Sequence, residues 1–553
     1  MKNIRNPIEQ AGKLVLIVIT TAFFCLLIKS HFQVINNPEP LDYYEGTMLA
    51  MTGKIANGES IYTLENQPVF NYVYTPLYNY LSAPFTKYFG NTFQTLRSVS
   101  AFFIFLSTGL FFYVTWRASK SFIASLVIAT SCYAGFIYYA TVVASTNSTG
   151  LFFFLCTVFI PWLFRFSLAS LIFSAVCGVL AFFSKQYFII GLAYVSIALF
   201  ISHSIKKSVL FALLSFLLLV FSVAIFQVNQ PYFLDNTFFG VNASAKIGAA
   251  FKHVLTQTKI FAVLYAAVII PTALHLVFKL RHIEFKKIPE KLAAFWGCIQ
   301  FSNLSKPFLT FRVNYFFLCF LLSTLVIVLL LGKHQGNYMT YLIQLMGPFL
   351  LISSILYLLN NRLLYSLGVP FIAVFYYQFY NFLPNDFSYD KGNWETVYSV
   401  MEPHDDLFVS PMLTHELIRT GKNIRHAGHT FYFPLAAYKP SIFQHSDPDH
   451  RVEYLWNQYL TDLYKAIETQ KIDLIIVNIW DIHGIFGAHP PPDNDLTSRS
   501  VFEGTHPPNS ELTGREFLEK YYEVTRKVRL SMTDRQGGGT YKLMIYEPKK
   551  VAE

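Results

Sequence analysis

Apolar runs of about 20 residues recur along this chain and constrain its fold more than any other feature. A helix needs roughly 20 mainly apolar residues to cross about 30 Å of hydrocarbon. Only 14% of the 553 residues are charged and 53% are hydrophobic, whereas soluble domains carry about a quarter charged residues. The sequence therefore predicts a mainly α-helical membrane protein with about eleven spans, at 13–30, 97–116, 121–141, 147–164, 168–184, 187–204, 208–228, 259–279, 314–332, 340–359 and 362–380.

Lysine and arginine residues predict the orientation, because cytoplasmic loops are enriched in them. If the N-terminus is inside and the first run is a retained signal anchor, every inner loop is basic. The loop 31–96, the turn near Asn147, the turn after residue 184, the loop 227–257 and the turn 333–340 then lie outside. We expect a plasma (inner) membrane protein with these basic inner residues: Lys2, Arg5, Lys13, Arg117, Lys120, Arg165, Lys206, Lys207, Lys279, Arg281, Lys286, Lys287, Lys291 and Arg362.

After residue 380 the long apolar runs end, and shorter strand-like and helical runs follow. We divide the chain into a transmembrane module, 1–380, and an extracytoplasmic α/β domain, 381–553, on the outer side because the number of spans is odd. Short β-like runs at 406–410, 472–478 and 541–546 alternate there with a helical stretch at 452–469. The net charge of +10 does not indicate nucleic-acid binding, since the basic residues form short clusters between apolar runs.

The first outer loop holds two carboxylates, Asp42 and Glu45, in the sequence DYYEG. Residues three positions apart share one face if the segment is helical. Such a pair could supply a general base. The alternative is a solvated helix start with Asp42 as its N-cap.

Polar residues at the outer ends of the spans are the second group of candidates. Lys185 and Gln186 interrupt a long apolar stretch, and Lys333 and His334 begin a polar turn that also holds Asn337 and Tyr338. Their donors suit a phosphate or a sugar. The alternatives are a snorkelling lysine and a turn that only reverses the chain.

Asp235 and the C-terminal tail give two further candidates for binding residues. Asp235 lies among aromatic residues after the seventh span, where rings could stack on a sugar or simply mark the membrane interface. The tail holds two DxD strings, 447–449 and 493–495, and nine histidines without ligand spacing such as HExxH. The DxD strings read better as surface turns. A divalent metal is therefore possible but not indicated, and no cofactor is predicted.

Several segments together resemble a known family. DYYEG, Gly58 and Tyr62, YTPLY at 74–78, FFSKQ at 182–186 and GKHQGNY at 332–338 occur in this order. They resemble the multispan glycosyltransferases of the GT-C class, and among them the protein-mannosyltransferase-like family (glycosyltransferase family 39) that includes the bacterial aminoarabinose transferase of lipid A. The resemblance covers about residues 13–380.

The resemblance implies roles for matching residues. Members use an acidic residue of the first outer loop as catalytic base, which here is Asp42, with Glu45 beside it. Basic residues of outer loops hold the donor phosphate in the family. Some members have an Asp at the start of the fourth span, where this chain has Ser145, Thr146 and Asn147, and the aminoarabinose transferase has a Lys where this chain has Thr75. The implied phosphate-binding residues are Lys185, Lys333 and His334, and the implied substrate-binding residues are Gln186, Tyr74, Tyr78, Asp235, Asn337 and Tyr338.

The resemblance implies a glycosyl transfer, and the predicted outward site decides the class of donor. Nucleotide sugars are cytoplasmic, so we expect a polyprenyl-phosphate sugar as donor and a glycan, glycolipid or protein as acceptor, with inversion at the anomeric carbon. One alternative is a flippase or transporter for lipid-linked sugars, or an O-antigen ligase or polymerase. A transporter would place ionisable residues near the bilayer midplane rather than at span ends. Another is a non-catalytic scaffold with a sensory outer domain.

Overall fold

The computed structural model describes most of the chain. The described residues are 7–42, 44–67, 69–138, 142–239, 247–280, 314–329, 338–381, 391–427, 451–478, 512, 514–531 and 540–550. In these ranges the protein is mostly helical and has one small sheet. The predicted fold class, a mainly α membrane protein with an α/β C-terminal domain, is confirmed.

Every predicted span contains a helix. The helices are α1 (Pro7–Asn36), α4 (Phe93–Ser119), α5 (Phe122–Tyr138), α6 (Thr146–Leu163), α7 (Leu168–Ser184), α8 (Ile190–Ser202), α9 (Ile205–Asn229), α10 (Ile247–Leu280), α11 (Tyr315–Leu329), α12 (Met339–Asn360) and α13 (Gly368–Tyr380). Six of the described helices are long and apolar enough to cross a membrane: α1, α4, α6, α9, α12 and the 255–275 part of α10. The chain is thus a multi-pass membrane protein.

Two helices in the first outer loop were not predicted. They are α2 (Glu45–Ala56) and α3 (Leu77–Phe89). The helix α2 is buried along its first two turns, and α3 buries one side against α2 and α4. The loop is therefore a packed layer at one end of the helix bundle.

The predicted inner and outer loops lie at opposite ends of the helices. At the predicted inner end, Lys13 lies 4.7 Å from the ring centre of Tyr365, and the Tyr365 hydroxyl is 2.8 Å from the Ser121 hydroxyl. At the other end, Gln186 donates hydrogen bonds to the Val73 and Thr237 carbonyls. The bundle therefore brings three predicted outer segments together, although their positions in sequence are far apart.

The C-terminal domain is built on a four-stranded sheet. Its strands are β1 (Leu407–Val409), β2 (Leu474–Asn478), β3 (Tyr522–Ser531) and β4 (Thr540–Pro548), in the order β1-β2-β4-β3. β1 and β2 are parallel, and the other two pairings are antiparallel. Three strands match the predicted runs, whereas β3, whose polar residues break an apolar pattern, was missed.

Helices cover both faces of this sheet. The residues of β2 alternate between two cores: Ile475 and Val477 pack with α16 (Arg451–Glu468) and α17 (Gly514–Tyr521), and Leu474 and Ile476 pack with α14 (Lys391–Met401) and α15 (Thr414–Thr420). A strand covered on both faces needs a continuous apolar run, which explains the sequence LIIV. The face with α14 and α15 is the one that meets the first outer loop.

Candidate functional site

A buried ion pair fixes the segment that carries the predicted carboxylates. Arg97 of α4 donates from Nε to Glu45 Oε1 at 2.9 Å and from Nη2 to Oε2 at 2.7 Å, and both side chains are fully buried. Glu45 also accepts from the Leu41 backbone N–H at 2.6 Å and the Ala144 N–H at 2.8 Å. This carboxylate is therefore fully engaged inside the protein.

Asp42 lies in a different environment from Glu45. It precedes α2, and its carboxylate accepts from the Tyr44 N–H at 3.4 Å. The helix begins only at Glu45, so the condition under which the two carboxylates would share one helix face is not met, and the N-cap position is held by Tyr44 rather than Asp42. Asp42 is half-buried in the loop, whereas Glu45 points into the packed interior.

Lys185 lies within electrostatic reach of Asp42. Its Nζ donates to Asn147 Oδ1 at 2.8 Å and lies 5.0 Å from the ring centre of Tyr74. The lysine is 7% exposed, in the turn between α7 and α8. The negative charge of Asp42 acts on Lys185, Tyr74 and Tyr44. A carboxylate and a buried lysine, whose pKa is lowered by burial to about 7, thus lie close enough at the end of the bundle to interact electrostatically.

Tyrosines surround this charge pair. Burial raises the pKa of Tyr74 and Tyr44 well above the ordinary value, and the charge of Asp42 raises it further. Both phenols are therefore neutral hydrogen-bond donors at neutral pH. The ring of Tyr44 lies 6.2 Å from that of Tyr74.

A chain of amide and hydroxyl groups extends the site to α12. The Tyr187 hydroxyl lies 3.2 Å from Asn147 Oδ1 and 2.7 Å from Gln344 Oε1. Gln344 is fully buried in a π-helical turn, Leu342–Met346, within α12. π-Helical turns inside α-helices often occur at functional sites. The site is thus lined by the first outer loop, α6, the α7–α8 turn and α12.

Four residues of this arrangement have no role predicted from the sequence. Arg97, Tyr187 and Gln344 were not considered, and Asn147 was noted only as a departure from the family. Asn147 and Gln344 are amides at or inside apolar runs, which was the available signal. Tyr187 carries no such signal because aromatic residues are common throughout the chain.

The remaining predicted substrate-binding residues divide into two groups. Tyr74 lines the site, and Gln186 joins the loops around it through two backbone carbonyls, at 3.0 and 2.9 Å. Tyr78 instead donates to the Leu96 carbonyl at 2.7 Å, between α3 and α4. Asp235 is fully buried at the start of the turn Asp235–Phe239, which also holds Thr237, an acceptor of Gln186.

Some predicted residues fall outside the described ranges. Lys333, His334 and Asn337 lie there, and so do both DxD strings. Tyr338 begins a short helical turn, and its side chain is likewise outside the described set. Within the described ranges, no group of three or more His, Cys, Asp or Glu residues could hold a metal ion.

Comparisons with known proteins give structural neighbours only. No protein-family model matches the chain, and no curated protein sequence is significantly similar to it. The apo crystal structure of ArnT from Cupriavidus metallidurans is similar over 84% of this chain and 93% of its own, with 12% identity and a TM-score of 0.42. The same enzyme bound to undecaprenyl phosphate is similar over 88% of this chain and 99% of its own, with 12% identity and a TM-score of 0.41. At TM-scores below 0.5 this similarity supports no conclusion about function.

Proposed function

We propose that this protein is a membrane glycosyltransferase that moves a sugar from a polyprenyl phosphate to an extracytoplasmic acceptor, with inversion. The observation that carries the proposal is that Lys185, which lies 5.0 Å from the Tyr74 ring, is close enough to Asp42 for the carboxylate charge to act on both side chains, although Asp42 and Lys185 are far apart in sequence. A half-buried carboxylate can take a proton, and a neighbouring ammonium group can hold a phosphate. Both are needed for this reaction.

The proposed reaction is a single displacement. Asp42 takes the proton of an acceptor hydroxyl as its oxygen attacks the anomeric carbon. The bond from that carbon to the phosphate oxygen breaks, and polyprenyl phosphate leaves with the electron pair. Attack opposite the leaving group inverts the anomeric centre. Lys185 stabilises the negative charge on the departing phosphate.

Other residues receive supporting roles in this proposal. Glu45 and Arg97 position Asp42, because the oxygens of Glu45 are already occupied by Arg97 and two backbone N–H groups. Tyr74 and Tyr187 line the site through the rings that flank the Lys185 ammonium. From the sequence resemblance alone we propose further donor contacts by Lys333, His334, Asn337 and Tyr338.

The donor and the domain division are also proposals. An outward-facing site excludes cytoplasmic nucleotide sugars, so the sugar would arrive on a lipid carrier. The transmembrane module would be 1–380 and the extracytoplasmic domain 381–553, in a plasma membrane. The acceptor would be a glycan, glycolipid or protein.

The test is a transfer assay with the purified full-length protein. Radiolabelled polyprenyl-phosphate sugars are incubated with the protein and candidate acceptors, and the labelled product is separated from the donor. Asp42→Asn should lower kcat by about 10²–10⁴, the usual contribution of a general base. The matched control, Asp462→Asn, changes an exposed carboxylate of α16 and should leave kcat unchanged. Full activity in Asp42→Asn would overturn the proposed mechanism.

A further inference from the structure

The C-terminal domain contacts the segment that leads to Asp42. The Tyr398 hydroxyl of α14 donates to the Glu39 carboxylate, and the ring of His415 packs 4.9 Å from that of Phe93, the first residue of α4. The Ala427 N–H donates to the Val69 carbonyl at 2.9 Å. Two parts of the first outer loop and the start of α4 are therefore held by one face of this domain.

The Tyr398 hydroxyl is the centre of this contact, as the hydrogen bonds of His415 show. His415 Nδ1 lies 3.0 Å from the Met412 carbonyl, which can only accept, so Nδ1 carries a proton. His415 Nε2 lies 3.0 Å from the Tyr398 hydroxyl. In neutral His415, Nε2 is then an acceptor. The single phenolic proton of Tyr398 is thus placed between two acceptors, Glu39 and His415.

Glu39 is tied to Asp42 by a short and restricted stretch of chain. The Glu39 carbonyl accepts from Arg97 Nη2 at 2.7 Å, and the Leu41 N–H is held by Glu45 at 2.6 Å. Pro40 between them has a fixed φ. Tyr398 therefore adds, through the Glu39 side chain, a second attachment to a stretch of backbone that the Arg97–Glu45 pair also holds.

We propose that Tyr398 is a positioning residue for Asp42, so that docking of the C-terminal domain completes the catalytic loop. This inference rests on the proposed function for its kinetic consequences but not for the contact itself. A carboxylate that acts as general base must lie within hydrogen-bond reach of the acceptor hydroxyl. Displacing it by about 1 Å can cost two orders of magnitude in rate.

The kinetic test uses Tyr398→Phe in the full-length protein. This change keeps the ring and removes only the hydroxyl. We expect kcat to fall about tenfold, equal to about 1.4 kcal/mol of transition-state stabilisation, while the KM for the donor stays the same. The control, Tyr521→Phe, removes a hydroxyl that bonds Glu468 at 3.3 Å elsewhere in the same domain, and it should leave kcat unchanged. A raised donor KM with normal kcat would contradict the proposal.

A double-mutant cycle separates positioning from general damage. Glu39→Leu should lower kcat like Tyr398→Phe, and the double variant should be no slower than the slower single variant, because both changes remove one contact. Additive losses would show that the two residues act independently and would overturn the proposal.

A second measurement does not require activity. Hydrogen exchange of the backbone amides in 39–45 should become faster in Tyr398→Phe but not in Tyr521→Phe, since the loop opens locally more often. If wild-type protein transfers no sugar but the exchange result holds, the glycosyltransferase proposal fails and the positioning contact stands. If exchange in the loop is unchanged, the positioning inference fails whatever the activity.

Discussion

Two carboxylates in one five-residue motif have separate environments, which shows how little a side chain's identity says about its role. Glu45 is fully buried and bound by a guanidinium group and two backbone N–H groups. Asp42 is half-buried beside Lys185. A carboxylate with all its acceptor sites used inside the protein stabilises a structure, whereas a half-buried carboxylate can exchange a proton with a ligand.

Breaking the buried Arg97–Glu45 pair should lower the free energy of unfolding. Arg97→Met leaves the Glu45 carboxylate buried without its counter-ion, which costs about 3–5 kcal/mol in comparable cases. Arg515→Met removes the partner of Glu519 from an ion pair whose side chains are 45% and 41% exposed, and we expect a loss below about 1 kcal/mol. Thermal unfolding in detergent measures both. Equal stability of the two variants would contradict the structural role given to Arg97.

Lys185 should determine donor binding. Lys185→Met removes the ammonium group that we assign to the phosphate, so the donor KM should rise at least about tenfold, as for the loss of a charge-assisted hydrogen bond. The control, Lys87→Met, removes an exposed ammonium group of α3 on the same side. The donor KM of each variant is measured by varying the donor concentration in the transfer assay. A normal donor KM in Lys185→Met would remove the lysine from the site.

The stability of the folded protein should depend on pH through two groups at the Tyr398 contact, His415 and Glu39, which have opposite effects. Burial lowers the pKa of His415 from 6.5 to about 4, and burial raises the pKa of Glu39. Between pH 6.5 and 4 the unfolded chain protonates this histidine while the folded protein does not, so stability falls as the pH falls. Glu39 acts in the opposite direction. The charged groups that influence one or both residues are Glu45, Arg97, Glu416 and Arg419.

Removing the Glu39 carboxylate should make the effect of His415 on the pH dependence of stability measurable. In a Glu39→Gln background, the melting temperature should fall between pH 6.5 and 4, and adding His415→Gln should flatten that fall. The unfolding temperature is measured at several pH values in the same detergent. An equal slope with and without His415 would show that other groups cause the pH dependence.

At the scale of elements, helix α2 joins the membrane module to the C-terminal domain. Its second residue is Gly46, and a Cβ added there would overlap the Pro411 carbonyl oxygen of the turn Pro411–Leu413. This close approach of backbone explains the glycine in DYYEG. The same helix begins with Glu45, so one element carries both the domain contact and the ion pair.

Gly46→Ala should therefore separate the domain from the loop. The added methyl group cannot be accommodated by a side-chain movement, because the atom it meets belongs to the backbone. We expect faster amide exchange in 39–45 and in 411–417, together with a lower transfer rate. Gly109→Ala in α4 is the control, since a Cβ there meets nothing within 4 Å. Unchanged exchange in Gly46→Ala would show that the contact is looser than the backbone distance indicates.

At the scale of the whole molecule, the helices place the candidate site and the C-terminal domain at one end and the predicted basic inner turns at the other. This arrangement agrees with the positive-inside rule. Orientation matters because it decides which sugar donors can reach the site.

Cysteine labelling of intact cells tests the orientation. Asn57→Cys and Tyr454→Cys, both exposed at the predicted outer end, should react with a membrane-impermeant maleimide. Arg117→Cys, exposed at the predicted inner end, should react only after the membrane is permeabilised. The opposite pattern would place the site in the cytoplasm and exclude the argument for a lipid-linked donor.

The sequence alone determined the spans, the grouping of the loops into two ends and most of the sheet. Hydrophobic length and strand-like runs are local properties, and they are set by the solvent that each segment must enter. Lys185 could also be selected from sequence, because ionisable residues at the ends of apolar runs are uncommon. Asp42 could be selected from the carboxylate pair in DYYEG and from the family resemblance.

Only the tertiary structure decided which of these residues meet and what each can do. Asn147, Tyr187 and Gln344 come from three separate segments, and the role of Glu45 depends on Arg97, which is 52 positions away in sequence. Tyr398 reaches Glu39 across 359 positions. Such contacts depend on how helices and domains pack against one another, and no local pattern in the sequence encodes that packing.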